Sequence, residues 1–485
     1  MKKKNDYFSK REKYKNYILN EKKLSNTIKS ISLLHTIKLH PFYLKLVRNE
    51  RVSFYIKKII EKLTIESSKK IVFFIQYIFS KKKIILNKDI LIISHLTNKN
   101  VFNSDDDAYF GNLEKIFKKN KLSCAKIFIN HSDESSINLN KKIRSNRLVL
   151  DDYVNYKTSL TIFYKKIVCI FEIIFLIFKK KINSLFLKDL LISLFEHQTN
   201  FALKMSYQIH DMIKFVKPKI VIFTYEGFSW ERQCIQTIKK IDPNIKCIGY
   251  QHTIITDYHK SIFKSIKGFY NPDIIWSSHV SSTKILKKKI KSKKIKIKYF
   301  GNLKKLFLKT KKITNNNTFL ILPEGIELDC TELFKFSLLC AKQNKNFKFI
   351  WRVHPVININ KILKMLKTNK YFLPKNVFLS NQSFSEDLAK SSFIIYRGSS
   401  AVINGVLNML YPIYYDINKN KNFDPLKNFF KMKNYASSTR DLFNLVKVIN
   451  KKRVLNKKFL QKEILRIKND LFQKPNFFKP IIRFI

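Results

Sequence analysis

The stretch Phe393-Ile394-Ile395-Tyr396-Arg397-Gly398-Ser399-Ser400-Ala401-Val402 decides how this 485-residue chain is read. Four apolar residues, a glycine, two hydroxyls and a return to apolar residues spell a short buried strand running into a helix. Backbone N–H groups at a helix start carry partial positive charge, and small residues there let an anion approach. A serine that merely caps the helix is the plainer reading of the same pattern. Upstream, Phe347-Lys348-Phe349-Ile350-Trp351-Arg352-Val353-His354-Pro355 reads as a second strand, ending in an arginine and a His-Pro turn. Two strand ends therefore offer groups suited to an anion.

The same alternation extends in both directions. Towards the C-terminus, strands are expected at Phe319 to Leu322, Phe347 to Trp351, Val377 to Leu379, Phe393 to Tyr396 and Tyr411 to Tyr415. Helices fall between them around Thr331 to Gln343, Ile359 to Thr368 and Ala401 to Leu410. Towards the N-terminus, strands are expected at Lys88 to His95, Ala125 to Ile129, Lys219 to Phe223, Lys246 to Gly249 and Asp273 to Trp276, and a further strand closes at Phe300-Gly301-Asn302. Strands alternating with helices imply parallel, right-handed β-α-β units. The fold class is α/β, with two Rossmann-like domains facing a cleft and a basic helical extension before them. Residues 1–84 form that extension and 85–305 the first domain, with a helical insertion at about 140–215. A polar linker around Lys311 to Asn317 leads to the second domain, 318–450, and a helical tail, 451–485.

Composition sets limits on function. The chain has 95 Lys+Arg against 35 Asp+Glu, a formal charge of +60, and an apolar content of 45% that is ample for real cores. Such a charge points to nucleic acid or an anionic membrane surface. Lysine, isoleucine, asparagine and phenylalanine are enriched throughout, however, as an A/T-rich coding bias would produce. The six cysteines form no CxxC pair, which reads as buried reduced thiols in a cytosolic protein. No apolar signal core follows the basic N-terminus, so the expected location is the cytoplasm or the inner face of the membrane. The runs Ile71 to Phe79 and Ile167 to Phe178 are shorter than the ~20 residues a spanning helix needs. They read as buried helices, the second having a membrane-surface alternative because Lys179, Lys180 and Lys181 follow it.

In open parallel sheets ligands bind beyond the carboxyl ends of the strands. In the second domain that edge carries Glu324 and Gly325, then Arg352, His354 and Pro355, then Arg397, Gly398, Ser399 and Ser400. A guanidinium, an imidazole and two hydroxyls at a helix start suit a nucleotide phosphate, and Glu324 suits a ribose or base hydrogen bond. In the first domain Glu226 follows a strand and precedes a glycine, and His252 takes the equivalent place one strand later. Either could serve as the base that removes a proton from a sugar hydroxyl, contact substrate, or be structural. Glu231 and Arg232 could orient it or the acceptor. Asp107 and Tyr109 lie in the loop after the first strand, where acceptor binding competes with helix capping. The clustered acids of that loop, Asp105-Asp106-Asp107, are not spaced like a DxD metal motif after a central strand, and no metal or cofactor is expected.

Tyr225-Glu226-Gly227, His354-Pro355 and Ser399-Ser400 occur in the order of the acidic-Gly, His-Pro and Ser-Ser motifs of bacterial sialyltransferases and related Kdo transferases. More broadly, the chain resembles the two-domain GT-B glycosyltransferases of bacterial surface-polysaccharide assembly, over roughly residues 88 to 420. Tyr225 departs from that pattern, replacing the first acid of the usual acidic pair. The resemblance implies inverting, metal-independent transfer from a CMP-activated acidic sugar, with the acid as base and the other motifs holding the phosphate. Arg352 to Pro355 with Tyr396 to Ser400 is also similar to CDP-glycerol glycerophosphotransferases. Tyr225 to Arg232 with Gly249 to His252 is similar to surface-carbohydrate biosynthesis proteins. The leading expectation is a glycosyltransferase whose partners are a nucleotide-sugar donor and a glycan or lipid-linked acceptor, with peripheral contact to an anionic membrane. A CDP-glycerol-type phosphotransferase is one alternative. A basic nucleic-acid-binding protein is the other, disfavoured because no recognition module is present.

Overall fold

The computed structural model describes residues 2–35, 87–97, 102–105, 107–132, 134–179, 181–255, 259–303, 317–354, 357–417, 424–427, 430–432 and 434–471. The run Ile71 to Phe79, most of the linker at Lys311 to Asn317, and Pro355 lie outside them.

Two parallel sheets organise the chain. The first contains β1 (Ile90–Leu96), β2 (Cys124–Asn130), β3 (Arg147–Val149), β4 (Ile220–Thr224), β5 (Lys246–Gln251), β6 (Ile274–Ser277) and β7 (Lys296–Tyr299). Its spatial order is β3-β2-β1-β4-β5-β6-β7. The second contains β8 (Thr318–Leu322), β9 (Lys348–Trp351), β10 (Val377–Leu379), β11 (Phe393–Tyr396), β12 (Tyr411–Tyr415) and β13 (Tyr435–Ala436), in the order β10-β9-β8-β11-β12-β13. Both sheets start in the middle and reverse direction after the third strand, the Rossmann order. Their inner strands are runs of isoleucine, phenylalanine and leucine because helices cover both faces.

Among the described residues α1 (Lys2–Asn20) and the single-turn α2 (Asn26–Lys29) and α3 (Ser32–His35) come first. The first sheet carries α4 (Leu113–Lys119), α5 (Ser136–Lys142), α6 (Tyr156–Phe178), α7 (Ser184–Leu194), α8 (His197–Val216), α9 (Ser229–Ile241) and α10 (Val280–Lys289). The second carries α11 (Glu327–Gln343), α12 (Ile359–Met365), α13 (Phe384–Lys390), α14 (Val402–Leu407) and α15 (Thr439–Lys451), and α16 (Arg453–Leu471) ends the described chain. Helix α16 packs on α14 and also returns to α10, where Asp470 accepts hydrogen bonds from the N–H and hydroxyl of Ser281 at 2.9 and 2.5 Å. Ile254, just past β5, is buried in the second domain's core, so the strand-end edge of the first sheet abuts the second domain.

Three features differ from the sequence reading. The stretch read as a wholly helical insertion contains β3, an edge strand of three residues beside Asn146 and Arg144. Helix α14 ends at Leu407, three residues early, where Asn408 and the left-handed Met409 (φ 65°) turn the chain. Helix α6, expected to be buried, buries only one face: Cys169, Ile173 and Leu176 pack against the N-terminal helices while Phe163, Phe171 and Phe178 face outward.

Buried charge ties the first sheet together. Lys126, fully buried on β2, lies 3.4 Å from Asp107 and 3.2 Å from Glu114, and Arg147 of β3 pairs with Glu114 at 2.7 Å. Burial alone would raise the Glu114 carboxyl, but Lys126 and Arg147, with Asn146, bring it down to about 2. A carboxyl below its usual 4.5 contributes stability above that pH and loses it as pH falls towards 2. Glu114→Ala should therefore cost about 3–5 kcal/mol, since it leaves buried cations without their partner. It should also flatten the loss of stability between pH 4.5 and 2, as read by urea denaturation across that range.

Candidate functional site

Each Rossmann order opens a crevice between its first and fourth strands, where neighbouring connections leave in opposite directions. In the first sheet that crevice lies between β1 and β4. Ile93 pairs with Phe223, and Thr224 with Tyr250, so His95, Glu226 and His252 emerge from adjacent strands at one edge, with Glu226 and His252 level.

Rings floor this crevice. His95 Nδ1 is 2.9 Å from His131 Nε2, and His95 Nε2 is 2.9 Å from the Thr224 hydroxyl. Tyr109 lies 5.0 Å from both His95 and His252, ring centre to ring centre, and Trp230 meets His95 edge-on at 5.5 Å. Burial, with His131 nearby, drops His95 to about 3, and burial lowers His131 too. Both imidazoles are uncharged at neutral pH and act as hydrogen-bonding groups. Sequence reading left His131 unassigned because its partner sits on another strand, and only the parallel register of β1 and β2 reveals the pair.

Glu226 stands above this floor. Its carboxylate accepts a hydrogen bond from the Thr253 hydroxyl, and its other oxygen lies 3.9 Å from His259 Nε2. Its charge and that of Asp107 add to burial in raising the Tyr109 phenol. Neither Thr253 nor His259 was singled out from sequence.

Glu231 and Arg232, expected to orient the base or the acceptor, hold the turn that carries Glu226. Glu231 is buried at the first turn of α9 and accepts the N–H groups of Glu226 (2.9 Å) and Phe228 (2.8 Å). Burial pushes its carboxyl well up despite those donors. Arg232, 0% exposed, donates to the carbonyls of Gly227, Tyr270, Ser261 and Lys264 and to Asn271 Oδ1, at 2.8–3.3 Å. Gly227 has φ +81°, and a Cβ there would lie 2.7 Å from the Ser261 backbone. Tyr225 is buried under Arg232, whose guanidinium carbon is 5.7 Å from the ring centre. An acid at that position would face Arg232 inside the protein, so the departure from the acidic pair alters the core beneath the crevice. Asp107 also turns inward: one oxygen accepts from the Ser94 hydroxyl (2.9 Å) and the N–H groups of Tyr109 (2.7 Å) and Phe110 (2.9 Å). It sets the loop that presents Tyr109.

In the second sheet the crevice lies between β8 and β11. Tyr396 pairs with Leu322 and Trp351 with Ile321, so Glu324, Arg352, His354 and Arg397 to Ser400 all leave at one edge. Two strand spacings put the β9 and β11 exits about 10 Å apart. Gly398 has φ +74°, and a Cβ there would overlap the Glu324 carboxylate, which fills that space. Ser399 is buried and Ser400 exposed, and neither caps α14, whose N-cap is Ala401 with no side-chain bond. The plain capping role is therefore absent; but α14 has only six residues, so the anion-binding capacity rests on backbone N–H groups and hydroxyls more than on a helix dipole.

Arg352 donates through Nη1 to Asp387 (2.7 Å) and to the Gln382 carbonyl (3.0 Å), which binds it to α13. Arg397 is buried, and its charge is felt by Tyr414 and Tyr415 of β12. Burial lowers the His354 imidazole, which is neutral and half-buried near the edge. Gly325 follows Glu324 in the turn before α11. Among the described residues no group of three or more His, Cys, Asp or Glu is placed to hold a metal ion.

Two Rossmann-like sheets in succession, with a C-terminal helix returning to the first domain, form a GT-B arrangement. No protein-family model and no curated protein matches the chain. Among solved structures, S. aureus MnaA with UDP aligns at TM-score 0.45 and 9% identity over 77% of this chain and 90% of that one. MurG of Acinetobacter baumannii aligns at 0.42 and 9% over 79% and 95%. The UDP-GlcNAc 2-epimerase of Neisseria meningitidis bound to UDP-GlcNAc aligns at 0.42 and 12% over 76% and 93%. At these levels the fold assignment rests on the strand order itself.

Arg232→Lys should lower stability by about 2 kcal/mol or more, because one ammonium cannot serve the oxygens that the planar fork now satisfies. Thermal unfolding checks the loss, and limited proteolysis should show earlier cleavage within 259–271. Gly398→Ala should displace Glu324 and cost about 1 kcal/mol or more from the positive φ alone.

Proposed function

We propose that the chain is a glycosyltransferase that moves a sugar from a nucleotide donor to an acceptor hydroxyl, contributing to a surface glycan. The observation that carries this reading is the pairing of two crevices of different chemistry. The second domain offers a backbone-and-hydroxyl cradle at Gly398 to Ser400, with Glu324 against it and His354 about two strand spacings away. The first offers a carboxylate, Glu226, above a floor of neutral imidazoles and aromatic rings.

Donor phosphate sits in the cradle, where N–H groups and the Ser399 and Ser400 hydroxyls donate to its oxygens and His354 adds a further N–H. Glu324 receives a ribose hydroxyl. The acceptor sugar lies on the ring floor, where Tyr109 and Trp230 present apolar faces and His95 and His252 present hydrogen-bonding nitrogens. Glu226 takes the acceptor proton as the new glycosidic bond forms. Thr253 orients its carboxylate, while Glu231 and Arg232 hold the turn rigid. The order of the Glu226-Gly227, His354-Pro355 and Ser399-Ser400 motifs favours a CMP-activated acidic sugar as donor.

Thermal unfolding with CMP, CDP, UDP and GDP tests the reading. A nucleotide at about 100 times its Kd should stabilise the protein by about 2.7 kcal/mol, and CMP should give the largest shift. Absence of a shift with all four would overturn nucleotide-dependent transfer; a larger shift with UDP would overturn the cytidine donor alone. His354→Ala and Ser399→Ala should each weaken nucleotide binding about 5- to 30-fold. Glu226→Gln should keep the nucleotide-induced shift and lower turnover by about 10²–10⁴.

A further inference from the structure

Helix α6 is apolar around most of its circumference, yet it is packed on one side only. Cys169, Ile173 and Leu176 face the cluster built with α2 and α7. On the opposite side Leu160, Phe163, Tyr164, Phe171, Phe175 and Phe178 share one helical face, bridged between 164 and 171 by Val168, and each of the six is at least half exposed, Phe178 to 78%. Twenty-three residues make a helix about 35 Å long. An apolar stripe along most of that length on a protein surface marks an interaction site.

We propose that this stripe docks the protein onto an anionic lipid surface, with α6 lying in the plane of the interface. Charge complementarity selects that occupant. Lys157 begins the helix and Lys179 and Lys181 follow it, while Lys165 lies along its flank, bonded to the Tyr207 hydroxyl at 2.7 Å. The exposed Lys179 holds its amine 4.5 Å from the centre of the Phe175 ring, which sets its positive charge beside the stripe. The helix's one acid, Glu172, is turned away and bonded to the N–H and hydroxyl of Ser25 at 2.9 and 2.5 Å. No carboxylate therefore interrupts the stripe. Five of its six residues are aromatic, the type whose flat, amphipathic rings suit the headgroup boundary. A second copy of the chain would bring the same lysines against these, and like charges would oppose the pairing. Spanning is excluded for α6, since no helix among the described residues is long and apolar enough to cross a membrane. The inference does not rest on the proposed reaction.

Sedimentation of the full chain with vesicles of equal parts phosphatidylglycerol and phosphatidylcholine tests it, against vesicles of phosphatidylcholine alone. The wild type should pellet with the anionic vesicles, more weakly with the neutral ones, and less as salt rises. The double variant Phe171→Glu with Phe175→Glu should lose partition about tenfold or more at an unchanged melting temperature, because both side chains point outward. Lys179→Glu with Lys181→Glu should reduce binding to anionic vesicles alone. A wild type that stays in the supernatant, or a Phe171/Phe175 variant that pellets as well as wild type, would overturn the proposal. So would wild-type self-association abolished by that variant without vesicle binding, which would make the stripe an interface between copies.

Discussion

A parallel sheet whose chain starts in the middle must send its connections first one way and then the other. The gap this leaves above the first and fourth strands is the constraint on which the rest of the molecule depends. Backbone pairing fixes the height at which each strand ends, so residues far apart in sequence emerge as neighbours: His95 beside Thr224, and Glu226 level with His252. The second sheet repeats the device with Glu324 and Gly398. These meeting points lie at or just past the ends of the ladders, the place where open parallel sheets bind ligands.

The crevice of the first domain is kept in shape by buried polar groups behind it. Arg232 gathers oxygens from three separate stretches, 227, 261–264 and 270–271, and so turns a loop into a rigid rim. Helix α3 packs on α9, the helix that carries Glu231 and Arg232, and Asn26 before it accepts from Gln233 and Tyr270. The N-terminal segment is thus a brace for the Glu226 turn. Asp107 does the same for Tyr109 from the other side, anchored through Lys126 to β2. Side chains held this way keep their geometry when a ligand enters, which is the condition for efficient proton transfer.

What the sequence disclosed follows from this physics. Strands β10, β11 and β12 are legible to the residue because each is an apolar run bounded by polar or turn residues. Strand β3 is not, because three residues at an edge carry too little pattern, and the two residues of β13 carry less. Glu226, His252 and the Gly398 to Ser400 turn could be placed at strand ends because they follow recognisable strands. The direction in which a polar side chain points is not encoded locally: Asp107, Glu231 and Arg232 look like surface groups and are turned inward. The His95–His131 pair and the Thr253 and His259 contacts to Glu226 exist only through tertiary register. For α6 the hydrophobic pattern was plain, but a sequence does not state which of two apolar faces the fold will cover.

The location of the acids also bears on the charge of the chain. Glu12, Glu114, Asp387 and Asp273 are engaged with Lys15 and Lys264, with Lys126 and Arg147, with Arg352, and with Lys239 respectively. Glu172 and Glu231 are occupied by hydroxyl or backbone donors. Carboxylates drawn from only 35 acids are thus used inside, where burial requires every cation to have a partner. The four ion-paired acids engage six cations, so folding withdraws no more negative than positive charge, and the surface keeps the basic balance of the sequence. A surface with this excess of positive charge raises the encounter rate with anionic ligands and strengthens attraction to anionic surfaces, each within a Debye length of about 8 Å at physiological salt.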